Sequence, residues 1–319
     1  MRTVVRKRVD PIVPCSWLEQ GSKIIQTCGA MIPFHPNVVC PGCGRKQIRP
    51  TAPAPKPGAL IVDDNAMIVD EDLDEVVAIH VVDHKHLASA FAQHLRHIEW
   101  MGQGALHGKG QEGRLSGIVV THRTFGFTPP SPLRRRWGCG RSTFDAKYPE
   151  AARLAYDFTV EAEQVIKRWA PGPYAHTIEA VNKVIPQAWR IENTPWTSGI
   201  INNTAALPYH RDSGNIKGSW SAMLGARHGI EGGLLHLLDY DVYLSIPHGS
   251  ISVFDGQSVL HGVTPLHRTH HDAWRYTVVC YSKKGLRECC PDPAGEAKRA
   301  QLKATEMEQR RAEKRRANK

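Results

Sequence analysis

Tyr209-His210-Arg211-Asp212-Ser213-Gly214-Asn215 is the stretch on which the reading of this chain turns. Side chains of an extended strand alternate between its two faces, so His210 and Asp212, two residues apart, share one face. An imidazole and a carboxylate placed in that way can reach one metal ion. Two later segments complete the pattern. His261 lies in the apolar run Ser258–Thr264 and Arg275 in Trp274–Tyr281, and both runs read as strands. His261 follows Asp212 by 49 residues and precedes Arg275 by 14.

Two His and one carboxylate with coordination positions left open form the ligand set of non-haem Fe(II) oxygenases. An Arg shortly after the second His offers a planar fork to the carboxylate of an acidic cosubstrate. A lone His-x-Asp carries little weight in a chain with 17 His. The four residues together carry more, because short β-like segments fill the interval between them. Candidate strands are 197–205, 219–225, 233–238, 242–246, 249–255, 258–263 and 273–282, divided by Gly, Pro and Asp. Asp255-Gly256 and Pro247-His248-Gly249 read as turns. The expected fold is α+β, with a double-stranded β-helix (jelly-roll) core at about 196–286, backing helices and a small amino-terminal zinc module.

His210-x-Asp212, His261 and Arg275-x-Thr277 resemble the Fe(II)/2-oxoglutarate dioxygenase superfamily. The longer patterns His210-Arg211-Asp212-x-x-Asn215 and Arg275-x-Thr277-Val278-Val279-x-Tyr281 are similar to its TET/JBP branch, which oxidises the methyl group of 5-methylcytosine or thymine in DNA. The compact length and the Tyr281–Leu286 ending look most like bacteriophage members of that branch, which would imply a bacterial host cytoplasm. The motif match covers about 196–286, and the preceding segment resembles the family more loosely. The resemblance implies Fe(II) on His210, Asp212 and His261, with 2-oxoglutarate and O2 taking the open positions. It implies that Arg275 and the Thr277 hydroxyl meet the distal carboxylate of 2-oxoglutarate. It further implies a flipped pyrimidine read by Asn215 and stacked on Tyr281. Where TET enzymes have a base-contacting His two residues beyond that Tyr, this chain has Lys283, which leaves cytosine and thymine both open.

A net charge of +10 and a pI near 9.3 favour a polyanionic partner, here DNA. Met1-Arg2-Thr3-Val4-Val5-Arg6-Lys7-Arg8 lacks the apolar core of a signal peptide, and no run reaches membrane-spanning length. The expectation is an intracellular monomer in a reducing setting, whose eight Cys are thiols or metal ligands rather than disulfides.

Residues 1–49 are expected to form a four-cysteine zinc module. Cys40-Pro41-Gly42-Cys43-Gly44 reads as a metal knuckle, and Cys15 and Cys28 would complete a tetrahedral site, with His35 as a spare ligand. A unit of this size buries too little core to stand without its ion. Residues 50–58 are a Pro-rich linker. The dioxygenase domain is expected over 59–290. Within it the acidic run Asp63 to Glu75 reads as a solvated face and His80–Trp100 as a helix. Gly117–Thr121 reads as a strand. Pro129–Arg141, with Arg134, Arg135 and Arg136, reads as a basic loop at the DNA, from which Arg141 could reach the active site. Residues 149–170 read as an amphipathic helix stopped by Pro171-Gly172-Pro173. Residues 291–319 read as a basic helix or tail, either lying on DNA or simply solubilising.

The favoured activity is hydroxylation of 5-methylcytosine in DNA, with further oxidation left open. The alternatives are a thymine hydroxylase of JBP type and a 2-oxoglutarate oxygenase acting on a protein or small molecule. A third possibility is a jelly roll that lost its iron and only binds DNA. The presence of all three ligands and Arg275 argues against this last one.

Overall fold

The computed structural model describes residues 1–18, 25–34, 39–47, 52–100, 121–131, 133, 135–204 and 206–317. Its centre is strand Trp274–Tyr281, which alternates strictly. Tyr276, Val278 and Cys280 face a layer of helices, while Arg275, Thr277, Val279 and Tyr281 face the other way. This strand pairs antiparallel with Ser221–His228 on one side and Ser198–Asn203 on the other. Around it a nine-stranded sheet runs in the order Arg2–Arg6, Ala66–Asp70, Glu75–Val81, Ser250–Phe254, Ser221–His228, Trp274–Tyr281, Ser198–Asn203, Thr121–Thr128, Gly140–Arg141.

Helix Pro149–Trp169 crosses the outer face of this sheet. Pro149 supplies the fixed φ of a first helical turn, and the apolar stripe Ala155, Phe158, Ala162, Ile166 packs on Leu224, Ile251, Val253 and Val278. Each large side chain buried there contributes about 1.5–3 kcal/mol. Helix Lys85–Leu95 adds Leu87, Phe91 and Leu95 to the same core. On the inner face a second sheet packs, ordered His261–Val263, Leu235–Leu237, Val242–Leu244, Leu60–Val62. Leu235, Leu237, Val242 and Leu244 meet Ile68, Ala78, Met223 and Phe254 across the gap. The two sheets therefore face each other over a shared core.

Four readings change. His80–Trp100 is not one helix: Glu75–Val81 is a strand, and the helix is confined to Lys85–Leu95. The strand is fixed by pairing on both sides, with Ala66–Asp70 and Ser250–Phe254, which overrides the helical spacing downstream. The acidic run is not wholly a solvated face. Asp70 is buried and accepts hydrogen bonds from the Tyr240 hydroxyl (2.8 Å) and the Asp72 and Leu73 amides. Arg2–Arg6, at the head of the expected zinc module, pairs parallel with Ala66–Asp70 and belongs to the large sheet. Of the helix or tail expected over 291–319, the helix is the form found, over Pro293–Ala317. Finally, Cys139 and Cys289 form a disulfide across 150 residues, with Cα atoms 5.9 Å apart. The fold brings the edge strand Gly140–Arg141 beside the turn Lys284–Glu288, a proximity that Cys spacing cannot reveal. The Glu296 carboxylate holds both flanks by accepting from the Cys139 and Cys290 amides, each at 2.7 Å. The expected strand Gly117–Thr121 up to Val120, and Arg134, lie outside the described residues.

Candidate active site

His210 and His261 come from adjacent chain segments that exchange backbone hydrogen bonds, His210 N to His261 O at 2.9 Å and the reverse at 3.1 Å. Their rings stand 4.3 Å apart. Each Nδ1 lies 2.9 Å from a carbonyl of its own segment, Pro208 O for His210 and Val259 O for His261. A carbonyl only accepts, so the proton sits on Nδ1 and the lone pair on Nε2. Both Nε2 atoms turn toward Asp212 Oδ1, at 3.6 and 3.8 Å. The three donor atoms lie within 4.8 Å of one another. Two imidazoles and one carboxylate in this arrangement fit a divalent transition metal, with room left for other ligands.

The second carboxylate oxygen is held from behind. Asp212 Oδ2 accepts from Ser221 Oγ (3.0 Å) and Asn215 Nδ2 (3.3 Å), and Asn215 Nδ2 also reaches Ser221 Oγ at 2.9 Å. Gly256 lets the chain pass close beneath: a Cβ there would lie 2.3 Å from Asp212 Oδ2. Ser221 and Gly256 gave no functional signal in the sequence beyond a turn at Asp255-Gly256.

Arg275 is 1% exposed and donates to Gly233 O at 3.1 Å. Burial, and then the like charge of Arg227, push its pKa down to about 9. A cation under that stress gains from an anionic ligand. Thr277 follows on the same face, two residues along, with Asn202 Nδ2 at 3.5 Å from its hydroxyl. Gly233 has φ +67°, and a Cβ on it would meet Leu266 at 2.4 Å and Arg275 Nε at 3.1 Å, so a side chain there would crowd the guanidinium.

The predicted base contacts divide. Asn215 is buried beside Asp212, and its backbone pairs with Lys283 in an isolated bridge, which brings Lys283 to the same rim. Tyr281 lies close enough for the Asp212 charge, after burial, to raise its phenol above the ordinary range. Arg141 is not gathered there. It lies over the rings of Phe127 and Tyr156 and donates to the Tyr156 hydroxyl, which in turn donates to Asp145 at 2.5 Å on the helical side of the sheet.

The four amino-terminal cysteines also converge, their sulfurs within 4.8 Å of one another. Cys15 and Cys28 come from the ribbon Ile12–Leu18 with Ile25–Pro33. Cys40 and Cys43 come from a tight turn closed by Gly44 N to Cys40 O at 2.8 Å, with Gly44 at φ +67°. Burial disfavours a Cys40 thiolate, yet hydrogen bonds from the Cys43 backbone, the Cys15 side chain and the Gly42 backbone outweigh it, and its pKa falls to about 7. Such a cluster could hold a thiophilic ion such as Zn2+. His35 lies outside the described residues.

A family model described as the oxygenase domain of the 2OGFeDO superfamily, Tet_JBP, matches residues 149–284. Residues 149–284, somewhat under half of the chain, are thus similar to the TET/JBP oxygenase domain. That span includes His210, Asp212, His261, Arg275 and Thr277. The bifunctional helicase and thymine dioxygenase JBP2 of Trypanosoma brucei brucei is 29% identical over 124 residues. The match takes in 39% of this chain and 11% of that protein, so the chain spans only a small part of its relative's length. The solved structure of NgTET1 in complex with 5mC DNA superposes with a TM-score of 0.50 at 14% identity, over 72% of this chain and 80% of that one. At that identity the likeness to NgTET1 is one of fold, and the match to the Tet_JBP model carries the implication of Fe(II) and 2-oxoglutarate. No helix among the described residues is long and apolar enough to cross a membrane.

Proposed function

We propose that this chain is an Fe(II)/2-oxoglutarate-dependent dioxygenase that hydroxylates the methyl group of 5-methylcytosine in DNA. The observation that carries the reading is the convergence of His210, Asp212 and His261 on one point, inside a segment similar to the TET/JBP oxygenase domain. The two facing sheets support a double-stranded β-helix core. His210, Asp212 and His261 would hold the iron, and Arg275 with Thr277 would hold the distal carboxylate of 2-oxoglutarate. Iron with 2-oxoglutarate and O2 supplies oxidative decarboxylation coupled to insertion of one oxygen atom into a C–H bond, with succinate and CO2 as by-products. The protein's part is placement. Ser221 and Asn215 fix the carboxylate plane of Asp212, and the buried Arg275 orients the cosubstrate.

A methyl group inside a duplex cannot approach such a site, so the base must leave the stack at a cost on the order of a few kcal/mol. Asn215 and Tyr281 would receive it. The Asn215 amide nitrogen is engaged by Asp212 and Ser221, so the group left for a base edge is its carbonyl oxygen, an acceptor suited to the cytosine amino group. The relative solved with 5mC DNA agrees with cytosine. The thymine dioxygenase JBP2 favours thymine as the second reading. The +10 charge fits a DNA partner, with phosphate contacts from the 129–141 segment and the Pro293–Ala317 helix. Cys15, Cys28, Cys40 and Cys43 would hold a structural zinc ion in an amino-terminal module joined by the 50–58 segment to a dioxygenase domain ending near 290. Nucleoside mass spectrometry after incubation with Fe(II), 2-oxoglutarate and matched duplexes tests the substrate. Hydroxymethylcytosine is expected from the 5-methylcytosine duplex. Hydroxymethyluracil from the thymine duplex would favour the JBP-like reading, and oxidation of a peptide or free nucleoside alone would overturn the DNA assignment.

A further inference from the structure

The three ligands of the triad come from two segments 49 residues apart, and the backbone bridge between His210 and His261 does not by itself fix the rotation of either segment. Asp239 supplies the missing constraint. It sits in the turn Leu238–Tyr240, its side chain is fully buried, and its carboxylate grips both segments. Arg211, the residue between His210 and Asp212, donates through Nη1 to Asp239 Oδ2 at 3.0 Å and through Nη2 to Oδ1 at 3.3 Å, a two-pronged pair. The amide of Leu260, the residue before His261, donates to Asp239 Oδ2 at 3.0 Å. Arg211 also donates to the carbonyl of Ser258 in the second segment.

Arg211 turns to Asp239, while its neighbours His210 and Asp212 turn toward each other and His261. Fixing the Arg211 fork therefore fixes the rotation of the His210–Asp212 segment, and through it the aim of His210 Nε2 and Asp212 Oδ1. The Leu260 amide does the same for His261. Arg8 completes the charge balance from the amino-terminal side, donating to Asp239 Oδ2 at 3.2 Å and to Ser258 O at 3.0 Å. Its side chain is about half exposed.

We propose that Asp239 is the positioning residue of the metal triad, acting through the Arg211 fork and the Leu260 amide. The proposal rests on the triad being a metal site. Groups that orient metal ligands typically change metal affinity by about 10–100-fold when removed.

The test is Co(II) binding to the full chain with the four-cysteine cluster first filled with zinc, followed by calorimetry and by the visible ligand-field spectrum, with no turnover required. Asp239→Asn and Arg211→Gln are each expected to weaken Co(II) binding at least tenfold and to alter the spectrum. Arg8→Gln is expected to stay within twofold of the parent. The double variant Asp239→Asn/Arg211→Gln should bind about as the worse single variant does, because both changes break one linkage. If the buried Asn variant does not fold, Arg211→Gln against Arg8→Gln decides alone. Unchanged affinity and spectrum in Arg211→Gln would overturn the proposal, as would equal losses in Arg211→Gln and Arg8→Gln. A parent chain that binds no Co(II) would instead refute the metal site itself, an outcome distinct from either.

Discussion

The cysteine cluster draws four ligands from one ribbon and one tight turn between residues 15 and 43, whereas the triad draws three from segments meeting across the core. Four thiols close a tetrahedral shell and leave no position for substrate, which is the form of a structural site. Two imidazoles and a carboxylate leave half of an octahedral shell open, which is the form of a site that does chemistry. Their surroundings differ in the same sense. The thiols sit over a small cluster that includes Val13, Ile32, Tyr209 and Leu260, which alone could not hold a fold. The triad sits on sheets already held by two large cores. Metal loss should therefore unfold one region and only silence the other.

The largest effect is expected from the triad. His210→Ala or Asp212→Ala should remove 2-oxoglutarate decarboxylation to background while the thermal unfolding midpoint of the metal-free chain stays within a few degrees of the parent. Cys40→Ser with Cys43→Ser should act in the opposite way: loss of bound zinc by metal analysis, and early proteolysis of the amino-terminal ribbon before the rest of the chain is cut. Retained zinc, or simultaneous loss of the whole fold, would erase the contrast. Glycine substitutions sharpen it further. Gly256→Ala puts a methyl 2.3 Å from Asp212 Oδ2 and should weaken Fe(II) binding by about tenfold or more. Gly42→Ala puts one 3.5 Å from the Ala30 side chain and 3.7 Å from Cys40 Sγ, which is ordinary contact, and zinc content should not change. The smallest effect is on the cosubstrate. Arg275→Lys keeps the charge and loses the fork, so KM for 2-oxoglutarate should rise several-fold more than KM for DNA in steady-state assays.

What could be read beforehand follows one rule. His210 and Asp212 were legible from their spacing, although of the two only His210, bridged to His261, pairs as a strand residue does; His261 and Arg275 lie in strands, and the strands 198–203, 242–244, 250–254 and 274–281 lie inside the expected ones. The helix over 149–169 was legible from its apolar stripe and its flanking prolines. Asp239 and Ser221 were not, because a buried polar residue in a strand or turn looks like any other until its distant partners arrive. The Cys139–Cys289 disulfide failed for the same reason. Strand Glu75–Val81 was hidden by its acidic entry and by His80, which is buried and bonded to Ser252 Oγ at 2.9 Å. Arg141 rests on Phe127 and Tyr156, two aromatics of the protein's own packing, a neighbourhood that its place in a basic loop did not announce.

If the triad couples 2-oxoglutarate consumption to oxidation of a methylated cytosine, the two products must appear together. The decisive measurement is stoichiometry on one duplex that contains both 5-methylcytosine and thymine, with succinate and all oxidised nucleosides quantified from the same reaction. One hydroxymethylcytosine is expected for each succinate in the early phase, with thymine intact. Succinate formed in step with hydroxymethyluracil, or formed at an unchanged rate with no nucleoside altered, would refute that coupling.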